Sequence, residues 1–153
     1  MGKIKTSSQI KKIVNTLKKR GKRIAFTNGC FDVLHPGHIK VLREAKKRAD
    51  ILIVGLNSDR SVKKIKDERR PILDENARKC ILEAIEYVDY IVVFSENTPH
   101  KLIQEIKPDY LVKGGDWRHD AIIGREFVKK VFRVKLQGEY STTKIIEKIK
   151  NQK

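Results

Sequence analysis

Apolar positions along this chain switch back and forth between two spacings. The stretch "TSSQIKKIVNTLKKRG" opens on a Thr6-Ser7-Ser8-Gln9 capping box. It then sets Ile10, Ile13, Val14 and Leu17 three and four apart, which predicts an N-terminal helix ending near Gly21. "RIAFTNG" (23–29) is a short apolar run closed by Asn28-Gly29, a buried strand. Ile39, Leu42, Ala45 and Ala49 return to helical spacing, and "DILIVGLNSD" (50–59) is a second strand. The alternation continues with a helix over 74–88, which carries Arg78, Ile81, Leu82, Ile85 and Val88, and a strand over 89–96. A helix follows with Thr98 as its cap and Pro99 at its first position, then a strand over 108–116. A helix over 119–130, a strand over 131–136 and a last helix from about Ser141 complete the pattern.

Strands that alternate with helices, three of them apolar almost throughout, predict an α/β fold. The expected architecture is a Rossmann-like, doubly wound, five-stranded parallel sheet with helices on both faces, in a single domain. Residues 1–22 read as a helix packed on a domain spanning 23–153. Such sheets bind ligands at the carboxyl ends of their strands, where the strand order reverses. Three polar or glycine-rich exits collect there: Asn28-Gly29-Cys30-Phe31-Asp32, Asn57-Ser58-Asp59 and Gly114-Gly115-Asp116-Trp117.

Composition narrows the partners. The 153 residues include 35 Lys and Arg against 19 Asp and Glu, a formal charge of +16. The basic residues are dispersed and not interleaved with aromatics. The charge therefore reads as the solvated surface of a Lys-, Glu- and Ile-rich thermophilic protein, ahead of a nucleic-acid site. A phosphate-rich small substrate suits the same field. The chain holds no apolar run long enough for a transmembrane helix, and its first residues do not resemble a secretory signal. Cys30 and Cys80 read as reduced, cytosolic thiols.

The stretch "GCFDVLHPGHIKVL" (29–42) carries the candidate chemistry. Its two histidines, His35 and His38, lack the further ligands that zinc requires, and Cys30 lacks the partners of a nucleophilic triad. A phosphate cradle has a mechanism. His35 and His38 stand three apart at a helix start, Pro36 removes an N–H that has no helical acceptor, and Gly37 allows close approach to the backbone. The helix terminus adds free N–H donors and a positive dipole end. Neither GxGxxG nor GxxxxGK[ST] is present.

"GCFDVLHPGH" resembles the signature of the nucleotidyltransferase superfamily whose HxGH motif binds nucleotide phosphates. The later stretches "NSDRSVKKIKDERRPI", "DENARKCILEAIEYVD", "PDYLVKGGDW", "IIGREFV" and "YSTTKIIEKI" extend the resemblance over roughly Arg23 to Ile149. Within the superfamily they are similar to the adenylyltransferase domain of bacterial ADP-heptose synthesis. The resemblance implies transfer of AMP from ATP to D-glycero-β-D-manno-heptose 1-phosphate, with release of pyrophosphate. It also implies Mg²⁺ accompanying ATP, a homodimer and a cytoplasmic setting. Related cytidylyl- or adenylyltransferases acting on another acceptor, such as glycerol 3-phosphate, are the alternative.

By the same resemblance His35 and His38 hold the phosphates, with His38 nearest the transferred α-phosphoryl group. Lys66 contacts phosphate, with Lys63 as the fallback and Arg70 on the acceptor. Asp32 either binds or orients its loop, and Arg78 either reaches the site or forms a salt bridge. Asn28, Gly29, Cys30, Phe31, Gly37 and Asn57 belong to the nucleotide site. Gly114, Gly115 and Asp116 let the nucleotide lie against backbone, and Trp117 flanks the base or sugar or simply packs. Tyr140, Ser141, Thr142 and Thr143 offer hydroxyls and N–H groups at the last helix start, where capping is the other role. Two departures stand out. Gly138-Glu139 reverses the usual Glu-Gly before Tyr-Ser-Thr-Thr, and Asp67-Glu68-Arg69 stands where relatives often carry Gly-Pro-Gly. Leu136 occupies the place of an arginine found in glycerol-phosphate cytidylyltransferases.

Overall fold

Alternate residues of the central strands face two apolar layers, so the strands read as nearly unbroken apolar runs. On β1 (Ile24–Gly29), Ile24 and Phe26 enter one layer while Ala25 enters the other. On β2 (Ile51–Asn57), Ile53 is divided in the same way from Leu52 and Val54. The computed structural model describes residues 2–115, 121–136, 138 and 140–152. Its other strands are β3 (Tyr90–Phe94), β4 (Tyr110–Gly114) and β5 (Lys130–Val134). They pair in the order β3-β2-β1-β4-β5, parallel throughout, in a Rossmann-like sheet.

Helices cover both faces. Against one lie α2 (Pro36–Arg48), through Val41, Leu42 and Ala45, and α4 (Glu75–Glu83), through Leu82. Against the other lie α1 (Ser7–Lys19), through Ile10 and Val14, and α5 (His100–Ile106), through Leu102, Ile103 and Ile106. The short α3 (Asp59–Ile65) follows β2, and α6 (Thr142–Lys150) ends the chain. Carboxylates pin the amino edge of the sheet. Asp109 accepts from the Ile24 N–H at 2.7 Å, and Asp89 accepts from the Leu52 N–H at 2.8 Å and from Lys46 at 2.7 Å. The carboxyl edge is left open. The chain runs β1 to β2 to β3 in one direction and then crosses back to β4 beyond β1, so the switch point lies between β1 and β4.

Several boundaries depart from the sequence expectation. β2 stops at Asn57 because the Ser58 hydroxyl caps α3, a helix absent from the expected pattern. The helix expected over 74–88 ends at Glu83. Beyond it the N–H groups of Ala84, Ile85 and Val88 bond three residues back, in tighter turns. Pro99 precedes α5 rather than beginning it, and the Thr98 hydroxyl accepts from the His100 N–H at 3.4 Å. The helix expected over 119–130 is replaced, in its described part, by bends and turns that include a 3-10 turn at Arg125–Phe127. Gly124 enters that turn at φ +88, and a Cβ there would lie 2.7 Å from Ile103 Cδ1. This glycine therefore permits both the left-handed step and the contact with α5.

Candidate active site

The loop from β1 to α2 folds over the open edge with two residues in left-handed backbone, Phe31 at φ +50 and Val33 at φ +53. A β-branched residue there is strained, by about 1–3 kcal/mol, and surrounding bonds must hold it. Asp32 supplies them. Its buried carboxylate accepts from the N–H groups of Ile72 (2.8 Å) and Leu73 (3.0 Å) and pairs with Arg70 Nε (2.9 Å). Its carbonyl accepts from the Thr142 hydroxyl at 2.7 Å, which joins the loop to the start of α6. Asp32 thus orients the loop, and Arg70 is its partner.

His35 is the N-cap of α2. Its Nδ1 accepts from the Gly37 N–H at 3.1 Å, while His38 Nδ1 accepts from the His35 N–H at 3.2 Å. This is a capping box built from two imidazoles. Because each Nδ1 is an acceptor, each neutral ring carries its proton on Nε2 and offers that N–H as its remaining donor. Burial lowers the His35 pKa. Burial first, and the neighbouring His35 second, lower that of His38 to about 4, against an opposing pull from Asp32. The ring centroids lie 4.0 Å apart, and Tyr140 stacks on His35 at 6.3 Å. Gly37 is required by the cap itself, since a Cβ there would fall 2.8 Å from His35 Cε1.

These residues line a cleft of about 590 Å³ across the β1/β4 switch point, within the range of small-molecule sites. Asn28, Gly29, Cys30, Phe31, Asp32, His35, Gly37 and His38 reach it from the first exit and α2. Asn57, Lys66 and Arg70 reach it from the segments after β2, and Gly114 from β4. Tyr140, Ser141, Thr142 and Thr143 bring in the amino end of α6, where the Ser141 hydroxyl also caps the helix by accepting from the Lys144 N–H at 3.0 Å. Two helix starts therefore converge on one cleft. Burial raises the Cys30 pKa against the pull of Lys66, Arg78 and Arg70, which leaves a packed thiol and not a thiolate nucleophile.

Three expectations change. Arg78 is fully buried and does not reach the cleft. Its guanidinium donates to the carbonyls of Leu73 (3.0 Å), Cys30 (2.8 Å) and Asn57 (2.7 Å) and to Asp59 Oδ1 (2.8 Å), so it braces the first two exits from beneath. Lys63 is exposed on α3, away from the cleft lining, which takes Lys66 instead. Gly114 keeps its place on the cleft lining and also makes room for α2, because a Cβ would meet Val41 Cγ2 at 2.6 Å. Gly115, at φ +96, donates its N–H to the Val134 carbonyl at 3.0 Å and does not line the cleft. Asp116 and Trp117 lie outside the described residues, as does Glu139.

Sequence reasoning missed Lys113. It sits between Val112 and Gly114 at the end of β4, lines the cleft and donates through Nζ to Asn28 Oδ1. Burial lowers its pKa to about 8. A lone lysine closing an apolar strand just before Gly-Gly was the available signal. Asn97, Thr98, Ile122 and Ile123 also line that side. Among the described residues no group of carboxylates, histidines and cysteines could hold a metal ion, and no helix is long and apolar enough to cross a membrane.

Comparison with known proteins places this geometry in a family. The bifunctional protein HldE of Campylobacter jejuni subsp. doylei is 50% identical over 151 residues, 99% of this chain and 32% of that protein. HldE of Helicobacter pylori is 52% identical over 141 residues, 92% of this chain and 30% of that protein. The chain thus spans about a third of the length of these curated relatives. A lipopolysaccharide core biosynthesis protein from Thermoplasma volcanium superposes with a TM-score of 0.61 at 30% identity, over 78% of this chain and 100% of that one. The pantoate-β-alanine ligase of Francisella tularensis, complexed with β-γ ATP and β-alanine, superposes with a TM-score of 0.67 over 99% of this chain and 77% of its own. At 18% identity that match speaks to the fold alone. The cytidylyltransferase-like family model matches residues 26–150, and the chain belongs to that family.

Proposed function

We propose that this chain transfers AMP from ATP to a sugar 1-phosphate, D-glycero-β-D-manno-heptose 1-phosphate, giving ADP-heptose and pyrophosphate. The observation that carries the reading is the pair of imidazoles at the start of α2 whose Nδ1 atoms accept backbone N–H groups, set in one cleft with the start of α6 and Lys66. Such an array suits a triphosphate whose charge shifts onto the leaving pyrophosphate. A phosphate oxygen of the acceptor attacks the α-phosphorus in line, the bond from that phosphorus to the bridging oxygen breaks, and pyrophosphate departs with the electron pair. The acceptor phosphate has a second pKa of about 6 and is largely dianionic at neutral pH, so no general base is required. HldE relatives at about half identity over nearly the whole chain support the heptose acceptor. Leu136, apolar on the cleft lining, supports ATP over the cytidine nucleotide of the arginine-bearing cytidylyltransferases.

The Asp32 carboxylate is the acidic group lining the described cleft, and it is already engaged by Arg70, Ile72 and Leu73. Mg²⁺ therefore fits as part of the substrate, held by the triphosphate and water. A homodimer in a reducing compartment completes the reading. The free thiols Cys30 and Cys80 accord with the compartment, and sedimentation reads the assembly. The decisive assay is pyrophosphate release from ATP or CTP with heptose 1-phosphate and glycerol 3-phosphate, with and without chelator. Turnover requiring ATP, heptose 1-phosphate and free Mg²⁺ is expected. Turnover confined to CTP, or to glycerol 3-phosphate, overturns the assignment.

A further inference from the structure

The cleft has two walls, and the reaction proposed above uses only one of them. Val112 on β4 enters the α2 layer and Leu111 the α1/α5 layer, so alternation turns Lys113 toward the α1/α5 side. Asn28 stands on that side by the same count from Phe26. The histidines and the start of α6 belong to the α2 side, where Val41 is buried. The open edge of the sheet lies between the two.

We propose that the Lys113 ammonium, oriented by Asn28, binds the phosphate of the acceptor, the group that attacks. This rests on the nucleotidyl-transfer reading of the same cleft. A cation sunk into a cleft wall needs a counter-charge. Among the described residues Lys113 pairs with no carboxylate. Its partner is the neutral Asn28 amide oxygen, and Asp32 is committed to Arg70. Beside a base or a sugar hydroxyl, no carboxylate among the described residues would compensate that charge, whereas a phosphate dianion matches it. Burial already holds the ammonium near the point of losing its proton, the condition that an arriving anion reverses. In-line displacement supplies the second reason. The nucleophile must approach the α-phosphorus from the side opposite the leaving pyrophosphate, so a second cationic locus belongs on the wall facing the triphosphate site.

Lys113→Met and Lys113→Arg in the full chain test this. Steady-state kinetics should show the acceptor KM of Lys113→Met raised about 30-fold or more, the usual loss when one partner of a buried charge pair is truncated. ATP binding, measured directly by calorimetry, should stay within about twofold, and Lys113→Arg should recover part of the acceptor loss. Inorganic phosphate, titrated into protein loaded with a non-hydrolysable ATP analogue, gives a readout independent of the acceptor's identity. Wild type should bind it and Lys113→Met should not. If heptose 1-phosphate proves inert while this contrast persists, the acceptor assignment fails and the phosphate anchor stands. Asn28→Ala, which removes the amide that orients the ammonium, should also raise the acceptor KM, and circular dichroism checks that each variant is folded. Equal loss of ATP and acceptor binding, an unchanged acceptor KM, or phosphate binding by Lys113→Met at wild-type strength overturns the proposal.

Discussion

Acid titration offers the sharpest test of the histidine cap. In the folded chain the His38 ring accepts the His35 N–H on Nδ1, so a second proton must displace that bond. Burial, and the His35 ring 4.0 Å away, oppose the charged form and hold the pKa at about 4, from an ordinary 6.5. The gap corresponds to about 3 kcal/mol of preference for the neutral ring, an upper bound because part of the side chain meets solvent. The folded pKa lies below the unfolded one. Between pH 6.5 and about 4 the unfolded chain therefore binds more protons, so the contribution is complete above pH 6.5 and is lost as pH falls toward 4. By pH 4.5 the loss should be about 2 kcal/mol.

His38→Gln is the matched control, because glutamine at the third helical position also accepts from the N-cap N–H and does not titrate. Urea midpoints at pH 7.5 and 4.5 should show the extra acid sensitivity in wild type and its absence in His38→Gln. Nitrogen-resolved NMR of the ring should find the neutral form protonated at Nε2 and its titration near pH 4. A His38 titration near 6.5, a proton on Nδ1, or equal acid sensitivity in His38→Gln would refute the reasoning.

Three further outcomes follow from the same geometry. His38→Ala should retain its circular dichroism spectrum but lose roughly 10²–10³ in kcat, the usual effect of removing one transition-state donor. Gly37→Ala places a methyl 2.8 Å from His35 Cε1 and pushes the ring off its cap. It should lower stability by about 1 kcal/mol in urea melts and slow turnover while Gly37→Ser does no better. Arg78→Met leaves the carbonyls of Cys30, Asn57 and Leu73 without their buried donor, so chemical denaturation should show a loss of about 3 kcal/mol or more.

The parts of this molecule legible in the sequence are those set by local pattern. Two-layer burial made the strands continuous apolar runs, and the spacing of Ile39, Leu42 and Ala45 announced α2, so the sheet and its open edge followed. His35 and His38 were legible for the same reason, since the capping box that orients them spans four consecutive residues. The illegible parts depend on residues distant in sequence. Arg78 stood on an apolar helix face, compatible with either a site role or an internal one. Only the fold brings the carbonyls of Cys30 and Asn57, 48 and 21 residues away, to its guanidinium.

Asp32 shows the same principle with more consequence. Its carboxylate closes on Ile72 and Leu73, forty and forty-one residues later, and its carbonyl on Thr142, 110 residues later. No local pattern could assign those partners, yet they hold Phe31 and Val33 in left-handed backbone and set where the first exit meets α6. A motif read from sequence therefore names the groups that touch a ligand more readily than those that hold the loop in place. Lys113 escapes even that distinction. It is one charged residue at the end of a strand, and its meaning depends on Asn28, 85 residues earlier, and on the absence of a carboxylate partner among the described residues. The HxGH stretch thus describes half of the cleft, the half to which the proposed reaction assigns the triphosphate. The opposite wall, where we place the acceptor, became visible only when β4 was laid beside β1.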